Sequence, residues 1–115
     1  MEMAIVYSWT SIRPGMVKAS AENKAKTDAR MAKLQAEGKI TDFAWYLASQ
    51  GCPNLLIVRG PAESLMAGEE MEDIALRMKS ALVSENFTWG MYATGATVDA
   101  MMGMFYQAAQ ELGAT

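Results

Sequence analysis

The chain has 115 residues, 51% apolar and 20% charged, which is the composition of one folded domain over residues 1–115 and excludes a disordered or collagen-like polymer. Ten basic against thirteen acidic side chains leave a net charge of -3, the wrong sign for a nucleic-acid or anionic-membrane footprint. There is no histidine, which removes the usual proton shuttle, the commonest metal ligand, a histidine-ligated haem and the Ser-His and Cys-His nucleophile pairs. The residues therefore call for no metal and no cofactor.

The first strand is expected over Met3–Ile12, rich in Ile, Val, Tyr, Trp and Thr, and Arg13-Pro14-Gly15 breaks it. From Met16 to Glu37 there is no Pro or Gly, and Ala21, Ala25, Ala29, Ala32 and Ala36 fall three or four apart. That spacing predicts a helix whose alanine stripe packs closely on a sheet, with lysines on the remainder and Gly38 as its stop. Ile40–Ser49 reads as a second strand carrying Phe43 and Trp45, and the turn Gln50-Gly51-Cys52-Pro53-Asn54 leads to a third over Leu55–Arg59. Cys52 is the single cysteine, so no intrachain disulfide is possible, and a reducing cytoplasmic compartment is expected.

Gly60-Pro61 then opens a second helix, interrupted near Gly68, after which Met71, Ile74, Ala75 and Met78 have the spacing of a buried face. Phe87, Trp89 and Met91 alternate with Thr88 and Gly90 in a fourth strand closed by Gly95. The last segment, Thr97–Leu112, places Val98, Met101, Met102, Phe105, Ala109 and Leu112 at helical spacing, and Met104 and Tyr106 widen its apolar surface beyond one stripe. Methionines in such a stripe suit an adaptable protein interface better than a metal site. No stretch approaches the roughly 18 apolar residues that cross a bilayer, and Met1-Glu2-Met3 does not open a signal peptide, so neither membrane nor export is expected.

This order predicts an α+β, ferredoxin-like βαββαβ fold, a four-stranded antiparallel sheet plus a C-terminal helix. Two crossover helices cover one sheet face, yet the strands are apolar in both phases, so the other face needs a cover. Sorting by bulk puts Tyr7, Trp9, Phe43, Trp45, Phe87, Trp89 and Met91 on one face. Ala4, Val6, Ala44, Ala48, Leu56, Val58 and Gly90 fall on the other, which suits the helices. The bulky face is then expected to pack against a second copy, making a homodimer, with a monomer roofed by its own last helix as the competing arrangement.

The element order, Arg13-Pro14-Gly15 leading into the long helix, and Leu34-Gln35-Ala36-Glu37-Gly38-Lys39-Ile40 entering the second strand together resemble the dimeric α+β-barrel superfamily over residues 3–94. Its members include cofactor-free monooxygenases, YciI-like proteins, muconolactone-isomerase-like enzymes and haem-degrading proteins, so the resemblance implies a pocket and leaves the reaction open. Members that work through an active-site histidine find no counterpart here.

If the bulky face lines a barrel, the candidate ligand-binding residues are Tyr7, Trp9, Trp45, Arg59 and Trp89, a mixture suited to a small apolar or aromatic ligand. Each aromatic alone is better served by packing at a dimer seam than by ligand contact. Arg59 has two uses, binding a carboxylate or pairing with Asp42 or an acid of the second helix. Residues 1–40 carry seven cations and four anions and the remainder three and nine, as for a basic first helix beside an acidic second one, paired on the outer surface. The readings left open are a homodimeric small-molecule-binding protein, a cofactor-independent monooxygenase or isomerase-like enzyme acting on an aromatic or polyketide-like substrate, and a structural interaction module without a ligand.

Overall fold

A computed structural model describes residues 1–67 and 69–113. Its elements are β1 (Glu2–Trp9), β2 (Ser11–Ile12), α1 (Val17–Ala36), β3 (Asp42–Tyr46), β4 (Asn54–Pro61), α2 (Ala62–Met66), α3 (Met71–Val83), β5 (Ser84–Glu85), β6 (Thr88–Ala93) and α4 (Ala96–Glu111). The second crossover is broken into α2 and α3 as the sequence predicts, and Gly68 itself lies outside the described residues. The four long strands form an antiparallel sheet in the order β3-β4-β1-β6, while β2 and β5 pair separately.

Local chemistry sets the ends that matter. α1 stops at Gly38, whose φ of 74° is a left-handed conformation that glycine adopts without a Cβ clash. The Lys39 N–H donates to the Leu34 carbonyl at 2.9 Å and the Gly38 N–H to that of Gln35 at 3.1 Å, a Schellman closure. α3 begins at Glu70, whose N–H donates to Asp73 Oδ2 at 3.2 Å, so an acid within the first turn satisfies a free donor at the helix start.

Strand register assigns the two sheet faces. Tyr7 lies opposite Leu56 and Trp89, Ile5 opposite Val58 and Met91, and Trp45 opposite Leu56, so all of these share one face. This is the face under α1 and α3, where Ile5, Met31, Ile40, Leu56 and Val58 form the buried core with Tyr7, Trp9 and Trp45 packed against it. The expectation from bulk is corrected: the aromatic face lies beneath the helices, and Leu56 and Val58 belong to it. The right-handed path of a strand-helix-strand crossover, which side-chain size does not report, decides the covered face. Ala4, Val6, Ser8, Ala44, Leu55 and Ile57 point to the opposite face, over which none of the described helices closes; Ala4 is buried there and the others are part-buried.

The helix faces also differ from the periodic reading. All five stripe alanines of α1 are exposed, and the helix instead buries Asn23, Thr27, Arg30 and Met31. In α3, Met71, Ala75 and Met78 are exposed, while Leu76 and Val83 are buried. The reason is shared. Asn23 and Arg30 on the inward face of α1 meet Ser80 and Asp73 of α3, and Thr27 bonds the Asn23 carbonyl of its own helix, which lowers the cost of burying them, and these side chains hold the helices off the sheet. Alanines there would have closed the gap.

α4 is anchored at its start, where the buried Thr97 hydroxyl donates to the Glu2 carbonyl at 2.7 Å, and then leaves the body of the protein. The radius of gyration, 16.7 Å, exceeds the roughly 13 Å of a compact chain this long.

Candidate functional site

The gap between helices and sheet is a cavity of about 670 Å³. The sheet supplies an apolar floor of Ile5, Tyr7, Trp9, Trp45, Leu56 and Val58. Trp9 and Trp45 meet edge to face with centroids 5.9 Å apart. Trp45 is further held by its Nε1–H, which donates to Asp28 Oδ1 at 2.7 Å, and by Lys24, whose ammonium sits 4.9 Å from the ring centre and pairs with Asp28 at 2.8 Å. The ring is thereby fixed before any ligand arrives.

The helices supply a polar roof. Arg30 is only 3% exposed, and its guanidinium meets Asp73 through two parallel contacts, Nε to Oδ1 at 2.8 Å and Nη2 to Oδ2 at 3.0 Å. Glu70 and Glu72 stand 3.4 Å from the same guanidinium. Burial pushes the Asp73 carboxyl up, but the Arg30 hydrogen bond and charge, the Glu70 N–H and Lys39 outweigh it and hold Asp73 below the ordinary carboxylate range. The hydrogen bond from Arg30 to Asp73 leads in raising the arginine's own affinity for its proton, against the opposing effect of burial. Farther along the seam, Asn23 Nδ2 donates to Ser80 Oγ at 2.9 Å, and Ser80 donates to the Leu76 carbonyl at 2.9 Å. The Asn23 carbonyl oxygen is buried without a partner among the described residues.

The Tyr7 phenol is pushed up to about 12, chiefly by burial and next by the Glu69 carboxylate, with Arg77 opposing and Asp73 adding to the rise. Tyr7 consequently stays protonated near neutral pH, where its hydroxyl can donate a hydrogen bond and is not a base. The carboxylates on the wall are engaged: Glu69 with Arg77, Glu70 with Arg30 and Lys39, Asp73 with Arg30, and Glu63 with the N-terminal amine at 4.0 Å. Among the described residues no group of three His, Cys, Asp or Glu is placed to hold a metal ion.

Of the five residues singled out from sequence, the cavity brings Tyr7, Trp9 and Trp45 together. Trp89 shares their face but sits on edge strand β6, 46% exposed, stacked 6.4 Å from Tyr7 and lying beneath Arg77 at 4.3 Å, outside the lining. Arg59 is on the opposite face, in register with Asp42, its Nη1 3.6 Å from that carboxylate. Structural pairing, one of its two uses, is the one observed.

No protein-family model matches the sequence, and no curated protein matches it. Solved structures do. Rv0793 from Mycobacterium tuberculosis has a similar structure with TM-score 0.62 at 17% identity, the likeness covering 83% of this chain and 96% of that one. A dimeric protein of unknown function and ferredoxin-like fold from Bacteroides fragilis is similar with TM-score 0.55 at 12% identity, over 79% of this chain and 94% of that one. The fold is ferredoxin-like. At such identities the likeness reaches the fold and stops there.

Within this ferredoxin-like frame, sequence reasoning missed the whole roof: Asn23, Thr27, Arg30, Asp73, Arg77 and Ser80. One signal was present. Asn23, Thr27, Arg30 and Leu34 recur at helical spacing in a second stripe beside the alanines, and the acids near Asp73 complement Arg30. The charge asymmetry does pair α1 with α3, yet through a buried arginine and not on the outer surface.

Proposed function

We propose that this protein binds a flat, mainly apolar organic molecule in the cavity between sheet and helices, and does so as a homodimer. The observation that carries the reading is an aromatic-floored space of about 670 Å³, within the range of small-molecule sites, with the Trp45 ring fixed by Asp28 and Lys24. A void favours a ligand over a purely structural module, for which a filled seam is expected. Tyr7 held protonated and carboxylates held in ion pairs favour binding over proton-transfer catalysis, because a general base needs a free, suitably tuned acceptor. The homodimer is supported by the uncovered apolar sheet face and by the dimeric state of the Bacteroides fragilis protein.

Native mass spectrometry of the purified protein, followed by titration with a panel of planar aromatic compounds, tests the reading. A bound compound quenches the emission of Trp9 and Trp45, and quenching saturates at one ligand per chain. Failure of every flat apolar compound to saturate at millimolar concentration, with no co-purified mass, sinks the proposal.

A further inference from the structure

The floor of the cavity presents polar side-chain atoms at Tyr7, Trp9 and Trp45 alone, and they are not equally occupied. The Trp45 Nε1–H is taken by Asp28 at 2.7 Å, whereas the Tyr7 hydroxyl and the Trp9 Nε1–H meet no acceptor among the described residues. Neither is sealed away. Among the described residues Asn23 Oδ1 is the one side-chain oxygen or nitrogen both shut off and without a partner, so these two donors are open where it is closed. Tyr7 is the better placed. Its ring stacks on Phe87 at 6.2 Å, and its phenol feels Glu69, Arg77 and Asp73, so the hydroxyl projects from the floor toward the roof.

We infer that the Tyr7 hydroxyl is the specificity-determining group of this cavity, and that the ligand is an uncharged planar ring molecule presenting a carbonyl oxygen to it. The inference rests on the ligand reading and deepens it. A phenol can also accept, but an unmet O–H costs more than an unused lone pair, and the carboxylates of the wall are already engaged. The neighbouring open group agrees, because an indole N–H only donates. The lack of charge follows from the walls. Each lining cation is held by a carboxylate, Lys24 by Asp28, Arg30 by Asp73, Lys39 by Glu70 and Arg77 by Glu69. A charged ligand would enter without a counter-charge, at a cost in desolvation that an uncharged one avoids.

The test compares fluorene with fluorenone, the same flat skeleton without and with a carbonyl, by equilibrium dialysis against the full chain. Tyr7→Phe keeps the ring and removes the hydroxyl. It is expected to lower the ratio of fluorenone to fluorene affinity about tenfold, with the circular dichroism unchanged. Tyr46→Phe, on the opposite sheet face, is expected to leave that ratio within twofold. An unchanged ratio in Tyr7→Phe, or a loss that appears in Trp9→Phe instead, overturns the assignment. The unaltered protein gives a second measurement, since the infrared carbonyl stretch of bound fluorenone is expected below its position in an apolar solvent and back at that position in Tyr7→Phe. A stretch that does not move on binding overturns the hydrogen bond. Tighter binding of a fluorenone carboxylate than of fluorenone overturns the uncharged ligand. Binding of neither flat compound removes the ligand reading and this inference together; binding of both with equal ratios in every variant removes this inference alone.

Discussion

Asp73→Asn is a sharp test of the roof because its effect differs in size from that of changing the other partner. The substitution keeps the shape of the side chain and removes its charge, leaving Arg30, 3% exposed, inside the protein with only Glu70 and Glu72 at 3.4 Å. Removing one partner of a buried pair costs about 3–5 kcal/mol; the two remaining acids are themselves more than half exposed, and their partial compensation brings the expected loss to about 2–3 kcal/mol. Arg30→Met removes the buried charge itself, fills similar space and leaves Asp73 partly solvated with its bond to the Glu70 N–H, for a loss of about 1 kcal/mol or less. Urea unfolding followed by tryptophan emission, at one protein concentration throughout, measures both. With a slope of about 1–3 kcal/mol per molar, the midpoint for Asp73→Asn falls by roughly 1–2 M and that for Arg30→Met by much less. The acid limb gives a separate reading. Asp73 is held below its ordinary value in the folded chain, so its contribution is present above the unfolded value of 3.8 and is lost as pH falls from there through the lower folded value. Asp73→Asn abolishes that part of the acid dependence. Equal losses from the two variants, or a larger one from Arg30→Met, would refute the reasoning.

The other expectations concern the floor, a close backbone approach and the selectivity of the cavity residues. Tyr7 titrates near 12 in the folded chain against 10 when unfolded, so its contribution is full below pH 10 and is lost as pH rises through 12; Tyr7→Phe is expected to flatten alkaline unfolding between those values, and an unchanged profile would count against the assignment. A Cβ on Gly60 would meet the Ile40 Cα at 3.0 Å and the Lys39 carbonyl oxygen at 3.1 Å, both backbone atoms. Gly60→Ala is thus expected to cost about 1–3 kcal/mol in thermal unfolding, and a neutral result would show that the Lys39–Ile40 segment ahead of β3 moves aside freely. Trp9→Ala is expected to reduce affinity for a bound aromatic compound at least tenfold in a fluorescence titration, while Trp89→Ala, outside the lining, leaves it within twofold; equal effects would place the ligand elsewhere.

Much of the architecture is legible in the residues. The absence of Pro and Gly from 16 to 37, the turns at Arg13-Pro14-Gly15 and around Gly51, and the alternation from Phe87 to Met91 suffice for the βαββαβ order and the added helix, because each is a local preference of the backbone. The surplus of apolar strand positions is legible too, and an uncovered sheet face is there to receive it. Three of the cavity aromatics, Tyr7, Trp9 and Trp45, were visible as bulk in one strand phase.

Which side of the sheet the helices cover, and which stripe of each helix turns inward, depended on tertiary structure. Asn23 and Arg30 read as solvent-facing until α3 supplies Ser80 and Asp73, since a polar group is buried cheaply only where a partner meets it. The alanines then become the outer surface, the helices stand away from the strands on longer side chains, and the space between them is the cavity. Periodicity specifies that a helix has a preferred face; pairing across some fifty residues of intervening sequence selects it.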